Sequence, residues 1–190
     1  MKKIKRALIS VSDKNNLKFL VNNLNKYKIK FISSGGTFKE IKRLGFHCEE
    51  VSKFTNSAEI LSGRVKTLHP KIYAGILAKR QSRLHKKDLI RNNYDEIDLV
   101  IVNFYPFESV IKKTKNNEKI LENIDIGGPT MVRAAAKNYK DVTVITNVSQ
   151  YESLIKNMNQ NKGATSLEFR KQTALEAFGE TAFYESLIYN

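Results

Sequence analysis

Residues 97–103 read Ile-Asp-Leu-Val-Ile-Val-Asn, a run in which apolar and polar positions do not alternate. A strand with one wet face alternates at every second residue, whereas a strand apolar along its length must be covered on both faces. Further runs of the same kind occur at 5–11, 30–33 and 142–145, and 46–51 reads as another strand. Between them apolar residues return at helical spacing: Leu17, Leu20, Val21 and Leu24, then Phe38, Ile41 and Leu44 before Gly45. Strands alternating with helices, each strand buried on both sides, predict an α/β three-layer sandwich with a mostly parallel central sheet.

The helix boundaries follow from capping chemistry. Ser12 or Asp13 is the expected N-cap of the first helix, and Gly45 the stop of the second. Residues 83–92 suit an exposed helix. Pro129 fits a first helical position with Gly128 as cap, which opens a helix over 130–138. The tail from 166 to 188 is helical, with Phe169, Thr173, Leu175, Phe178, Phe183 and Leu187 available for packing. The whole chain, 1–190, reads as one domain ending in that helical segment.

Charge and cysteine content narrow the function classes. The net charge of +14 is spread along the chain with asparagines beside the lysines, a compositional bias without a basic tail or an aromatic-studded basic strand. No nucleic-acid partner is expected. Cys48, the one cysteine, rules out an internal disulfide and a cysteine-cluster metal site. No apolar run reaches membrane-spanning length and the amino terminus lacks a signal-peptide core, so a cytoplasmic protein without membrane contact is expected.

In such sheets ligands bind beyond the carboxyl ends of the strands, and Ser10–Lys14, Ser33–Thr37, Asn103–Pro106 and Thr146-Asn147 all follow strands. Four groups of residues could carry chemistry. Ser33-Ser34-Gly35-Gly36-Thr37 is a glycine turn between strand and helix whose amides suit a phosphate, with Lys14 as a nearby point charge. Gly63-Arg64-Val65-Lys66-Thr67-Leu68-His69-Pro70 gathers two cations, a hydroxyl and an imidazole; an extended backbone would put Arg64 and Lys66 on one side, facing an anion. His69 is either an acid–base group or a residue that bonds its own turn. Asn103-Phe104-Tyr105-Pro106-Phe107 either plugs the sheet or recognises a planar heterocycle. Asp125-Ile126-Gly127-Gly128 places a carboxylate beside two amides that could stabilise an oxyanion, and Lys137 follows on the alanine-rich helix, as a proton carrier or as a last-turn charge on the helix dipole.

Taken in order, the blocks Ser-Val-Ser-Asp-Lys (10–14), Ser-Gly-Gly-Thr (34–37), Gly-Arg-Val-Lys-Thr-Leu-His-Pro (63–70), Asn-Phe-Tyr-Pro-Phe (103–107), Asp-Ile-Gly-Gly (125–128) and Arg-Ala-Ala-Ala-Lys-Asn (133–138) closely resemble the IMP cyclohydrolase domain. That domain is the N-terminal half of the bifunctional AICAR transformylase/IMP cyclohydrolase. The resemblance spans essentially the whole chain; Pro129 departs from the β-branched residue that members often carry.

The resemblance implies a methylglyoxal-synthase-like fold, a homodimer, and ring closure of FAICAR to IMP and water, without metal or organic cofactor. The chain would then be a stand-alone cyclohydrolase or a piece lacking the transformylase domain, to which 166–190 would lead. It also implies the roles. Lys137 and Asp125 would move protons at the carboxamide, and Lys66 and Tyr105 would face the formyl oxygen. Ser12, Lys14, Ser34, Gly36 and Thr37 would hold the 5′-phosphate. Arg64, Thr67 and Asn103 would hold the base and carboxamide, and the amides of Ile126 and Gly127 after Asp125 would face the formyl oxygen with Lys66 and Tyr105. A methylglyoxal synthase and a non-enzymatic nucleotide-sensing domain are the rival readings.

Overall fold

The structure is a computed structural model and describes residues 1–189. In chain order its elements are β1 (Lys2–Lys3), β2 (Arg6–Val11), α1 (Leu17–Asn25), β3 (Lys30–Ser33), α2 (Gly35–Arg43), β4 (Cys48–Glu50), α3 (Val51–Thr55), α4 (Pro70–Leu77) and α5 (Arg83–Asn92). There follow β5 (Leu99–Asn103), α6 (Phe107–Lys113), α7 (Asn117–Glu122), α8 (Gly127–Lys137), β6 (Thr143–Ile145), α9 (Tyr151–Gln160), β7 (Ala164–Thr165) and α10 (Leu167–Tyr189).

Five strands form one sheet in the order β4-β3-β2-β5-β6, and every neighbouring pair is parallel. β1 and β7 make a separate antiparallel pair. The lack of alternation in the strands now has its cause. Leu99 and Ile101 of β5 join a core with α1, α2 and α9, while Val100 and Val102 join a second core with α4, α8 and α10. Each strand is therefore clamped between two helical layers. Among the described residues no helix is long and apolar enough to cross a membrane.

β2 lies between β3 and β5, so the chain leaves β2 first to one side and later returns to the other. That reversal opens a crevice above the carboxyl ends of β2 and β5. The loops that follow these strands carry Ser12, Lys14 and Tyr105, and Asn103 is the last residue of β5.

Several boundaries differ from expectation. The first helix is capped by Asn16, in the left-handed region at φ 56°, and not by Ser12 or Asp13; Asp13 instead accepts the Asn15 amide in the preceding turn. Of 46–51 only Cys48–Glu50 pairs, because Val51 already opens α3. α8 begins at Gly127, and Pro129 lies inside its first turn, where a missing amide proton has no helical acceptor to lose. α9 has no counterpart among the expected helices, although its Tyr151, Leu154, Ile155 and Met158 follow a helical period and are buried.

The segment around Arg64 is not extended. Leu61–Gly63 forms a 3₁₀ turn, Ile60 pairs with Val65, and Gly63 takes φ +93°, so the chain doubles back. In α10 the buried positions are Arg170, Thr173, Ala174, Ala177, Thr181 and Tyr184, while Leu175, Phe178 and Phe183 are exposed. Ala174 and Ala177 share a core with Ala134, Ala135 and Ala136 of α8, and the small residues let the two helices approach closely. Leu175, Phe178 and Phe183 are left on the outside, while Arg170 and Tyr184 are buried toward the two ends of the helix.

Candidate active site

One wall of the crevice is the turn from β3 into α2. Ser34 is the N-cap in extended conformation, and its hydroxyl makes no capping bond. The helix's backbone bonding starts with Phe38 donating to the Ser34 carbonyl (3.2 Å), which leaves the amides of Gly35, Gly36 and Thr37 as the unpaired donors of a helix start. Gly35 has φ +54°, a conformation glycine adopts without a side-chain clash. Two ammonium groups stand over this turn. A Cβ on Gly36 would lie 3.7 Å from Lys14 Nζ, and one on Gly35 would lie 3.9 Å from Lys66 Nζ. Amides, a helix N-terminus and two lysines converge on one small volume, which suits a phosphate.

Thr37 belongs to this turn but offers it no hydroxyl. Its Oγ1 donates to the Val11 carbonyl (2.9 Å) and accepts the Val11 amide (3.0 Å), so the buried side chain ties α2 to the end of β2. Asn103 is similarly committed. Its Oδ1 accepts the amides of Ser12 (2.6 Å) and Asp13 (2.9 Å), and its Nδ2 donates to the Asp13 carbonyl (3.1 Å). Ser12 Oγ donates to the Phe104 carbonyl (2.6 Å). Ser12 and Asn103 thus weld the loops after β2 and β5 together, and hold up the floor of the crevice.

The residues from Arg64 to His69 separate. Arg64 pairs with Glu122 at the rim, and Lys66 Nζ is 3.1 Å from Glu59 Oε1. Thr67 is buried against the start of α8: a Cβ on Gly127 would meet its Oγ1 at 2.7 Å. His69 is the N-cap of α4, its Nδ1 accepting the Lys71 amide (3.1 Å) ahead of Pro70. That bond gives the imidazole a structural task.

The opposite wall is the start of α8. Gly128 donates its amide to Asp125 Oδ1 (2.8 Å), and the Asp125 amide donates to the Tyr184 hydroxyl (2.8 Å). The Gly128 amide is therefore spent on Asp125 and not open to an oxyanion. Burial raises the Asp125 pKa above the usual carboxylate value, partly countered by the Gly128 bond. Behind it the Tyr73 hydroxyl is buried and makes no hydrogen bond of normal geometry. Burial pushes that phenol up; the Thr130 hydroxyl draws it down and the Asp125 charge adds to the rise.

Between these walls lies a cleft of about 910 Å³, within the range of ligand sites. It brings together Ser12, Lys14, Ser34, Gly36, Thr37, Arg64, Lys66, Thr67, Asn103, Tyr105, Asp125, Ile126 and Gly127. Tyr105 and Ile126 are more than half exposed on its rim. Lys137 is not brought there. It is exposed at the far end of α8, ten residues and about 15 Å of helix rise from Gly127. Among the described residues no group of His, Cys, Asp and Glu is arranged to hold a metal. Sequence reasoning missed Glu59, Glu122, Tyr73 and Tyr184. Tyr184 is 59 positions from Asp125, and no local pattern marks such a contact.

The MGS-like domain model matches residues 16–130, and the AICARFT/IMPCHase bienzyme model matches residues 135–190. The chain is similar to the bifunctional purine biosynthesis protein PurH of Prochlorococcus marinus subsp. pastoris, at 48% identity over 97% of this chain and 35% of that protein. The PurH of Persephonella marina is 48% identical over 97% of this chain and 36% of its own length. That of Bradyrhizobium diazoefficiens is 42% identical over 100% and 36%. The chain thus spans about a third of the length of these curated relatives. It is also similar to the crystal structure of ForH, with a TM-score of 0.86 and 28% identity over 98% of this chain and 97% of that one.

Proposed function

The chain belongs to the MGS-like domain family, and we propose that it is an IMP cyclohydrolase, closing the six-membered ring of FAICAR to give IMP and water. In that reaction the carboxamide nitrogen loses a proton and bonds the formyl carbon. The formyl oxygen becomes an oxyanion, is protonated and departs as water, while the formamido nitrogen gives up its proton as the C=N bond forms. Both reacting groups sit on one molecule, so holding them in register supplies much of the rate. The protein has to anchor the phosphate, move protons and stabilise the oxyanion.

One observation carries the reading. A single cleft has a phosphate cradle on one wall and, on the other, a carboxyl whose pKa is raised by burial. Ser34, the Gly35–Thr37 amides and Lys14 anchor the 5′-phosphate. Asp125 takes the carboxamide proton, which its raised pKa favours. Tyr105 faces the formyl oxygen. Lys66, between Glu59 and Gly35, supplies positive charge between phosphate and reacting centre. Arg64 and Thr67 line the base, while Ser12 and Asn103 contribute through the loops that they lock. The similarity to PurH proteins supports the same substrate.

Lys137 can serve proton transfer only if another copy of the chain carries it to the cleft. We therefore keep the homodimer as part of the proposal. The exposed Leu175 and Phe178 of α10 lie on the same side as Arg133, whose guanidinium stands 5.8 Å from the Phe178 ring centroid, and Lys137 is one helical turn beyond Arg133. A cytoplasmic protein with neither metal, organic cofactor, membrane nor nucleic-acid partner completes the reading.

The deciding experiment is incubation with FAICAR while IMP formation is followed. Turnover of dihydroxyacetone phosphate in place of FAICAR would overturn the reading in favour of a methylglyoxal synthase; binding of IMP without turnover would favour a nucleotide sensor. Mixing Lys137→Ala with Asp125→Asn protein tests the second copy. Activity recovered in the mixture means that the two residues meet across subunits.

A further inference from the structure

Tyr184 stands where three parts of the cleft meet. It is 4% exposed, on the last turns of α10. Its hydroxyl accepts the Asp125 amide at 2.8 Å. Its ring packs on Phe104 (centroids 4.9 Å apart, planes at 51°) and on Phe107 (6.2 Å, 67°). Phe104 and Phe107 bracket Tyr105, so one side chain braces both the Asp125 turn and the Tyr105 loop. Asp125 is held from two directions: Gly128 fixes the carboxylate and Tyr184 fixes the backbone.

We infer that Tyr184 is a positioning residue for the reaction, and that α10 is a working part of the active site. The inference rests on the reading of Asp125 as the proton acceptor. The hydroxyl sets the height of the Asp125 backbone above the cleft. The ring sets the path of the 104–107 loop, and with it the place of Tyr105. A displacement of about 1 Å at a reacting group is enough to cost a hundredfold in rate. Anchoring of the phosphate is separate, since the turn from Ser34 to Thr37 belongs to β3 and α2.

Tyr184→Phe separates the two contacts, because the ring remains and the hydroxyl goes. With FAICAR, kcat should fall about tenfold while KM stays within about twofold. The acid limb of the kcat profile should shift, since a displaced Asp125 changes its burial. In the folded protein, exchange of the Asp125 amide proton, followed by NMR, should rise about tenfold or more, while the α10 amides of Ala177 and Thr181 keep their wild-type rates. Tyr184→Leu, which loses the ring as well, should lower kcat further. Unchanged Asp125 exchange together with unchanged kcat overturns the inference. So does equal loss of protection along α10, which would make Tyr184 a packing residue only. If the wild-type protein does not turn FAICAR over, the cyclohydrolase reading fails by itself, and the exchange measurement still decides whether Tyr184 holds Asp125.

Discussion

Gly128→Ala tests how tightly the Asp125 carboxylate, the proposed proton acceptor, is held. A Cβ at this position would stand 2.2 Å from Asp125 Oδ2, 2.9 Å from Cγ and 3.2 Å from Oδ1. An ordinary non-bonded contact is about 3.5 Å, so the carboxylate must retreat by roughly 1.3 Å. It cannot do so and keep the 2.8 Å bond from the Gly128 amide. Losing a hydrogen bond to a charged group costs about 1.5–3 kcal/mol, and alanine returns up to about 1 kcal/mol of helix propensity. Because the clash is with the end of a side chain, the backbone need not move. The net loss should be about 1–2 kcal/mol, or roughly 3–6 °C in Tm for a chain of this size. The effect on rate is larger. A displacement of this order at the proposed proton acceptor should lower kcat about a hundredfold, with KM nearly unchanged because the proposed phosphate cradle is on the opposite wall. Steady-state kinetics with FAICAR, a thermal melt and IMP titration measure all three. Wild-type kcat with a raised Tm would refute the reasoning, since it would mean that the carboxylate has slack or takes no part.

Lys14→Ala should raise KM for FAICAR at least tenfold and leave kcat within about threefold, because a remote phosphate contact is made equally in ground and transition states; the kinetic constants show whether kcat collapses instead. Burial raises the Asp125 carboxyl above its ordinary value of 3.8, so the fold is penalised for its charge. That penalty is absent below the unfolded pKa and complete once pH has risen through the folded one. Asp125→Asn should therefore gain urea resistance relative to wild type on going from pH 3.5 to 7.5, while losing activity. Arg170 is 2% exposed and donates to the carbonyls of Tyr139 (2.8 Å), Lys140 (3.2 Å) and Thr165 (2.5 Å). Arg170→Ala strands these acceptors and should cost about 3 kcal/mol in urea unfolding. Tyr73→Phe removes a buried hydroxyl that lacks a hydrogen bond, and should leave stability unchanged or raise it by up to about 1 kcal/mol; a comparable loss would reveal a bond to Thr130.

Ser12, Lys14, Ser34, Gly36, Thr37 and Asn103 were legible from their places at strand ends, whereas Arg64, Lys66, Thr67 and Asp125 follow no strand and were legible only through the ordered family blocks. Their individual tasks were not. Thr37 and Asn103 look like ligand groups by type and place, yet their polar atoms are consumed by Val11 and by the Ser12–Asp13 turn. His69 resolved the other way, into a cap. In α10, chemistry alone favours burial of Leu175 and Phe178. Between Arg170 and Tyr184 the inward positions are Thr173, Ala174, Ala177 and Thr181, small residues that allow the close approach of α8.

What the sequence determined by itself is the kind of architecture, from the period of apolar positions, and, through strand ends and the family resemblance together, the list of cleft residues. What only the tertiary structure decided is which of those groups remain free. Tyr184 reaches Asp125 across 59 residues, Lys66 and Lys14 meet over two glycines from separate loops, and Lys137 is carried away from the cleft by the rise of its own helix. A hydrogen bond spends a donor wherever the fold places an acceptor, and that placement is a property of the packed chain, not of any stretch of it.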